Sequence, residues 1–514
     1  MTTRPRSGAT HDGTNAMADE IYDLLVIGGG INGAGIAADA AMRGLSVFLA
    51  EADDLAGATS SASSKLIHGG LRYLEHFEFR LVREALAERE VLLAKAPHII
   101  RPMRFILPQV AGMRHELMMR AGLFLYDHLA SRESLGASHA IDLRRDPAGA
   151  PLVSELRRGF TYWDCAVDDS RLVVLNAIAA REAGARIATR TPVTGLEAEN
   201  GVWTAALGNS GRRVAARAVV NAAGPWVAKV AALATGQRNA ARPTVRLVKG
   251  SHITVPRIAG ADDAYTFQNP DGRIVFALPF EDAFTLIGTT EETFAGDPRN
   301  ASASREEEDY LLDAANRFFR ERITHSDIVW SFAGVRPLED DGSESASAVS
   351  RDYRLNLAAN EEPPLLHVIG GKITTYRKLA EAALKLLHPY FPQMHPSRTR
   401  WTPLPGGDLG GRTFDVWFEH FAPENRGFEQ GFLRRLARRH GTRTSKIIAG
   451  ATSAKDLGED FGGGLTAREI AYLKSEEWAE TATDVLWRRT KTGLHLKGDS
   501  TRIADRVQAC LDKS

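Results

Sequence analysis

Gly28-Gly29-Gly30-Ile31-Asn32-Gly33 follows the apolar run Ile21–Ile27 and precedes an Ala-rich stretch at 34–43. A second apolar run, 45–51, ends in Glu51. This is G-x-G-x-x-G set between a strand and a helix, with a second strand ending in a carboxylate, the full context of a dinucleotide-binding turn. Gly28 permits the tight turn, Gly30 lets the backbone approach a pyrophosphate, and Gly33 allows close helix–strand packing. Ile31 and Asn32 fall in the first helical turn, where free N–H groups and the helix dipole favour an anion. Glu51 can accept hydrogen bonds from ribose hydroxyls and disfavours a 2′-phosphate. FAD and NAD share this fingerprint. The next segment, Thr59-Ser60-Ser61-Ala62-Ser63-Ser64-Lys65, is dense in hydroxyls and suits a pyrophosphate and ribityl chain better than a nicotinamide ribose.

The elements that must position these groups read as α/β. Phe79–Lys95 has the spacing of a long helix, strand-like stretches return at 185–220 and 245–290, and 365–369 is a further buried strand before Gly370-Gly371 and a helix at about 374–387. A sheet inserted between nucleotide-binding segments suggests a substrate domain. Residues 403–411 are rich in Pro and Gly, and the chain beyond about 413 is helical. The expected division is a disordered arm at 1–20, an oxidoreductase region at 21–400 and an α-helical domain at 401–514. Within 21–400, cofactor segments at about 21–100, 155–225 and 330–390 alternate with cap segments at about 100–155 and 240–330. Met17, close before the first strand, is read as a candidate alternative start.

Composition narrows the function. The 514 residues carry 64 Lys+Arg against 64 Asp+Glu, without the basic excess of a nucleic-acid binder. Two cysteines, Cys165 and Cys510, make neither a disulfide framework nor a cysteine metal site. No metal is expected, and no apolar stretch is long enough for a transmembrane helix.

Read together, the fingerprint and the run Ser60-Ser61-Ala62-Ser63-Ser64-Lys65-Leu66-Ile67-His68-Gly69-Gly70-Leu71-Arg72-Tyr73 resemble FAD-dependent, quinone-linked glycerol-3-phosphate dehydrogenases. Asn221-Ala222-Ala223-Gly224-Pro225-Trp226, Lys249-Gly250-Ser251-His252-Ile253, Gly334-Val335-Arg336-Pro337 and Gly370-Gly371-Lys372-Ile373-Thr374-Thr375 are similar to the same family, as is Ile287-Gly288-Thr289-Thr290. The resemblance covers nearly everything after residue 20. It implies an FAD-binding Rossmann-like domain of the glutathione-reductase/D-amino-acid-oxidase type, with an inserted antiparallel-sheet substrate domain and a C-terminal helical domain. No EF-hand loop of the kind carried by mitochondrial relatives is found, which favours a bacterial-type enzyme.

The implied reaction oxidises sn-glycerol 3-phosphate to dihydroxyacetone phosphate. It needs cations for the phosphate, a base for the hydroxyl proton and a flavin for the hydride. By the resemblance, Arg72, Tyr73, Arg336, Arg351 and Lys372 line the substrate site, since phosphate favours bidentate arginine contacts. His252 is the expected base or polarising donor and Lys372 the runner-up, so His252, Arg336 and Lys372 form the catalytic set. Non-covalent FAD is expected on Gly28, Gly30, Ile31, Asn32, Gly33, Glu51, Ser60, Ser61, Ser63, Ser64 and Lys65. Its remaining contacts are assigned to His68, Gly69, Val193, Ala223, Gly224, Gly371, Thr374 and Thr375.

The family passes electrons to a quinone, which implies a cytoplasmic protein held peripherally at the inner face of the cytoplasmic membrane. Leu117, Met118, Met119, Leu123, Phe124, Leu125, Tyr126 and Leu129, flanked by Arg114, Arg120 and Arg132, read either as an interfacial helix or as a core helix. Arg434, Arg435, Arg438 and Arg439 read as a solvated helix face or a headgroup contact. Homodimerisation is left open. Three competing functions are an oxygen-using glycerol-3-phosphate oxidase, an amine oxidase of the same superfamily and a non-catalytic flavin-binding scaffold. Several matching cations favour a phosphate over the single arginine an amine-oxidase site needs.

Overall fold

The computed structural model describes residues 21–110, 115–208, 211–235, 243–340, 352–359, 363–496, 498 and 500–514. The expected arm at 1–20, Met17, Arg114 and Arg351 lie outside the described residues.

Strand β1 (Ile21–Ile27) is the centre of the first sheet, because its apolar side chains on both faces must be covered. Leu24, Leu25 and Val26 are fully buried, each contributing about 1.5–3 kcal/mol by leaving water. Strand β2 (Val47–Ala50) lies parallel to β1 on one side, and Arg212–Asn221 lies parallel on the other. Leu365–Ile369 extends the parallel set next to Arg212–Asn221. Helix α1 (Ile31–Met42) crosses between β1 and β2; its small alanines let it pack against the helices Asp169–Glu182 and Tyr376–Leu387. The crevice at the carboxyl ends of β1, Arg212–Asn221 and Leu365–Ile369 is where such sheets bind ligands.

Among the described residues the second sheet has ten strands, the longest being Val245–Pro256, Arg158–Val167 and Trp330–Glu339. Its pairs are antiparallel except for Ala264–Gln268 with Ile100–Pro108, so the expected antiparallel sheet is mixed at one seam. Residues 158–167, placed by pattern in the cofactor segment, pair with Ile100–Pro108 in this sheet. The short strand Leu66–Ile67 pairs there too. Local pattern could not assign these strands, because both sheets bury apolar β-branched runs.

The C-terminal helices hold their own aromatic core of Phe414, Phe418, Phe421, Phe428 and Phe432. Buried charges fasten them to the first domain. Arg489 pairs with Asp54 at 2.7 Å, Lys491 with Asp168 at 2.9 Å, and Arg171 with Glu477.

Candidate active site

The glycine turn opens α1 as expected. Gly28 has φ +111°, and a Cβ there would lie 2.5 Å from the carbonyl oxygen of Ala222. A Cβ on Gly33 would sit 1.9 Å from the carbonyl oxygen of Gly28. Only glycine lets the turn, the helix and the 222–224 loop meet this closely. No acidic residue stands in the first turn of α1. Ser60 Oγ accepts from the Ile31 N–H at 3.0 Å, which places the hydroxyl-rich loop directly over that turn. Glu51 accepts from the N–H groups of Gly29 and, at 2.8 Å, Asp53; burial raises its pKa above the usual carboxylate range.

Asn32 Nδ2 donates to Gly370 O at 3.0 Å, joining the first turn of α1 to the Gly370-Gly371 turn. Its Oδ1 is buried with no hydrogen-bond partner among the described residues. An acceptor left unmatched beside free helix N–H groups fits a bound dinucleotide that supplies a donor there. Thr374 Oγ1 accepts from the His68 N–H at 3.2 Å, so His68, Gly69 and Thr374 share one wall with Gly371; Thr375 is buried beside them. Ala223 and Gly224 close the crevice after Arg212–Asn221. Val193 lies at the start of a strand of the antiparallel extension of the same sheet.

The rest of the hydroxyl-rich loop is bound to protein. Ser61 Oγ donates to Ala58 O at 3.1 Å. Ser63 Oγ donates to Asp169 at 2.8 Å, and buried Lys65 reaches both carboxylate oxygens of Asp169 at 3.0 Å. Ser63 and Lys65 thus carry an architectural pairing that the sequence reading missed.

His252 stands on Val245–Pro256 opposite Phe332 and stacks on that ring at 4.9 Å with a 10° interplanar angle. Ser64 Oγ is 2.9 Å from its Nε2, while Nδ1 is buried without a partner among the described residues. Burial pushes its pKa well below the ordinary value, helped by Lys65 and Arg336, so the ring is neutral near neutral pH. Val248, opposite Arg336, is two residues from Gly250, and the Arg336 guanidinium lies 3.1 Å from where a Gly250 Cβ would be. His252, Gly250 and Arg336 therefore present one face of the sheet.

Three of the four expected phosphate cations meet around that face. Glu291 bridges two of them, with Arg72 at 4.0 Å and Arg336 at 3.7 Å. Lys372 Nζ lies 3.5 Å from the centroid of the Tyr73 ring. Burial lowers the pKa of Arg336, and Tyr73 opposes the shift. Glu291 was not singled out by sequence; its signal was an acid directly after the matching Ile287-Gly288-Thr289-Thr290 turn. A cavity of about 1060 Å³ begins at His68, Arg72, Tyr73 and Glu291 and runs to Phe79, Met118 and Leu125.

The pattern of FAD-dependent oxidoreductases matches residues 23–377, and that of the C-terminal domain of alpha-glycerophosphate oxidase matches 397–514. A glycerol-3-phosphate dehydrogenase of Pseudomonas aeruginosa is 54% identical over 95% of this chain and 96% of its own. A D-erythritol 1-phosphate dehydrogenase of Brucella abortus is 50% identical over 93% of this chain and 95% of its own. The crystal structure of a Bacillus halodurans glycerol-3-phosphate dehydrogenase complexed with FAD superposes with a TM-score of 0.73 at 27% identity, covering 97% of this chain and 96% of that one.

Proposed function

Since the chain belongs to the FAD-dependent glycerol-3-phosphate dehydrogenase family, we propose that it oxidises the secondary alcohol of sn-glycerol 3-phosphate to dihydroxyacetone phosphate. Its cofactor is FAD. The observation that carries the substrate reading is the convergence of Arg72, Arg336 and Lys372 beside a buried, neutral His252.

The roles follow from charge and position. Arg72 and Arg336 hold the phosphate as charge-assisted donors, and Lys372 adds a third cation. Tyr73 backs Lys372 with its ring face and sets its direction. His252 takes the hydroxyl proton; being unprotonated near neutral pH, it is ready to act as a base. Gly28–Gly33, Asn32, Ser60 and Glu51 would hold the dinucleotide part of FAD, and the Gly371–Thr374 turn with His68 would hold its remainder. The chemistry FAD supplies is acceptance of the hydride equivalent from the substrate carbon.

A membrane quinone is the acceptor we assign to the electrons. The large cavity supports this reading: one end meets the cation cluster, and the other opens beside apolar side chains on the surface. Phe77 is 78% exposed, Leu117 69% and Phe124 62%. Leu117, Met118, Phe124 and Leu125 belong to the helix Glu116–His128, whose other side packs Met119, Leu123 and Tyr126 inward. Among the described residues no helix is long and apolar enough to cross a membrane, and an interfacial helix gives peripheral contact at the inner face of the cytoplasmic membrane. Leu117→Ser with Phe124→Ser tests this: vesicle binding should fall while substrate still bleaches the flavin. Unchanged vesicle binding would reject the helix as the membrane contact. Anaerobically reduced enzyme mixed with a soluble quinone or with air then separates dehydrogenase from oxidase.

The Brucella relative favours one second reading, a longer polyol phosphate as substrate. Comparing kcat/KM for glycerol 3-phosphate and D-erythritol 1-phosphate decides between them.

A further inference from the structure

A second cleft, of about 360 Å³, opens at the seam between the second sheet and the C-terminal helices. Its lining is strongly basic. The helix Gln430–His440 contributes Arg434, Arg435, Arg438 and Arg439, the strand Ile100–Pro108 contributes Arg101, and Lys491 comes from the C-terminal domain. The acids that line it are Asp168, Glu281 and Asp282.

These cations are unevenly matched. Arg439 is held by Glu469 at 2.8 Å and Lys491 by Asp168 at 2.9 Å. Arg434 and Arg438 share a single carboxylate, Asp415. Among the described residues Arg101 and Arg435 have no carboxylate within 4 Å, although Glu429 is near enough to Arg435 to feel its charge. The surplus is felt locally: the pKa of Arg438 is pushed down to about 10, first by burial and then by Arg101 and Arg434, against the pull of Asp415.

A buried donor points into the same space. His98 is 1% exposed and lines the cleft, and neither of its ring nitrogens has a hydrogen-bond partner among the described residues. Gly406 and Gly441 pack against the ring, so it has little freedom to turn elsewhere. Leaving such a group unmatched is costly, and an anion in the cleft would accept from it.

We propose that this cleft is a binding site for a phosphate-bearing ligand, grasped by Arg101 and Arg435 with His98 donating from the floor. It is separate from the substrate cations, which lie around Glu291. Planar guanidinium forks match phosphate oxygens bidentately. The ligand lies against Lys65, whose neighbour Ser64 contacts His252, so occupancy is placed to be felt at the active site.

The phosphate can come from a soluble metabolite or a lipid headgroup, and the test separates them. Holoenzyme carrying Arg336→Ala, which removes a substrate-site phosphate contact, is titrated calorimetrically with inorganic pyrophosphate. One equivalent should bind. Adding Arg101→Ala and Arg435→Ala should weaken that binding about tenfold or more, the loss expected for charge-assisted contacts, with the flavin spectrum unchanged. Arg435→Glu, on an exposed position, repeats the measurement should the double change disturb folding. In a second arm, the wild type and the cleft variant are floated with phosphatidylglycerol or phosphatidylcholine vesicles. Loss of pyrophosphate binding in the variant assigns a soluble ligand; loss of phosphatidylglycerol binding alone assigns a headgroup. Pyrophosphate and vesicle binding both indifferent to the cleft substitutions would overturn the site.

Discussion

Ser64 Oγ lies 2.9 Å from His252 Nε2, tying a buried histidine of the second sheet to the loop that packs over the first turn of α1. With the Phe332 ring stacked on one face, the imidazole is held between the two domains whose ligands must react. This contact gives the hydroxyl-rich loop a direct say in the orientation of the His252 ring.

His252→Gln should slow flavin reduction by about 10²–10⁴-fold, the usual range for a removed general base, with flavin retained. In the wild type, burial holds the pKa of His252 well below the free value of about 6.5. Protonation blocks a base, so kcat/KM should stay level as the pH falls through about 6.5 and drop only in more acidic solution. Stopped-flow reduction across pH checks both points. A fall centred on the free histidine value would contradict the buried neutral ring.

Arg336→Ala should keep its flavin and lose substrate reduction. One charge-assisted contact is worth about 1.5–3 kcal/mol in binding, or roughly 10- to 150-fold in affinity, and more if it acts in the transition state. Flavin reduction near the wild-type rate would remove Arg336 from the site.

Glu291→Gln is expected to tighten binding of inorganic phosphate. The carboxylate lies between Arg72 and Arg336 and competes with an incoming anion. At 3.7 to 4.0 Å and partly exposed, such pairs are worth at most about 1 kcal/mol, so the gain is about fivefold or less. Phosphate inhibition constants for the two proteins decide the matter, and weaker inhibition of the variant would exclude competition.

Much of this site was legible locally. The glycine turn, Glu51 and the helix behind them form one contiguous βαβ unit, in which each residue's role follows from its neighbours in the chain. Arg72, His252, Arg336 and Lys372 are assigned through resemblance alone, since nothing in the spacing of residues so far apart says that they meet. Glu291 and the Lys65–Asp169 pair were missed for the same reason. Asp169 stands 104 residues from Lys65 in sequence, and the contact exists only because Leu66–Ile67 pairs with Arg158–Val167. The boundary drawn near 155 failed at that strand for want of any local difference between the two sheets.

Lys65→Met should destabilise the protein by about 3–5 kcal/mol, because it leaves Asp169 buried without its cation. Lys65→Met with Asp169→Asn should recover part of the loss. Urea unfolding of the three proteins measures this. Equal stability of wild type and single variant would show that the pair does not support the loop.

The most direct measurement is an anaerobic absorbance titration of the flavin-loaded protein with sn-glycerol 3-phosphate. The flavin band should bleach to an endpoint set by one substrate per flavin, with glycerol, which lacks the phosphate, far less effective. A flavin that stays oxidised with glycerol 3-phosphate, or responds equally to glycerol, would contradict a site built on Arg72, Arg336 and Lys372.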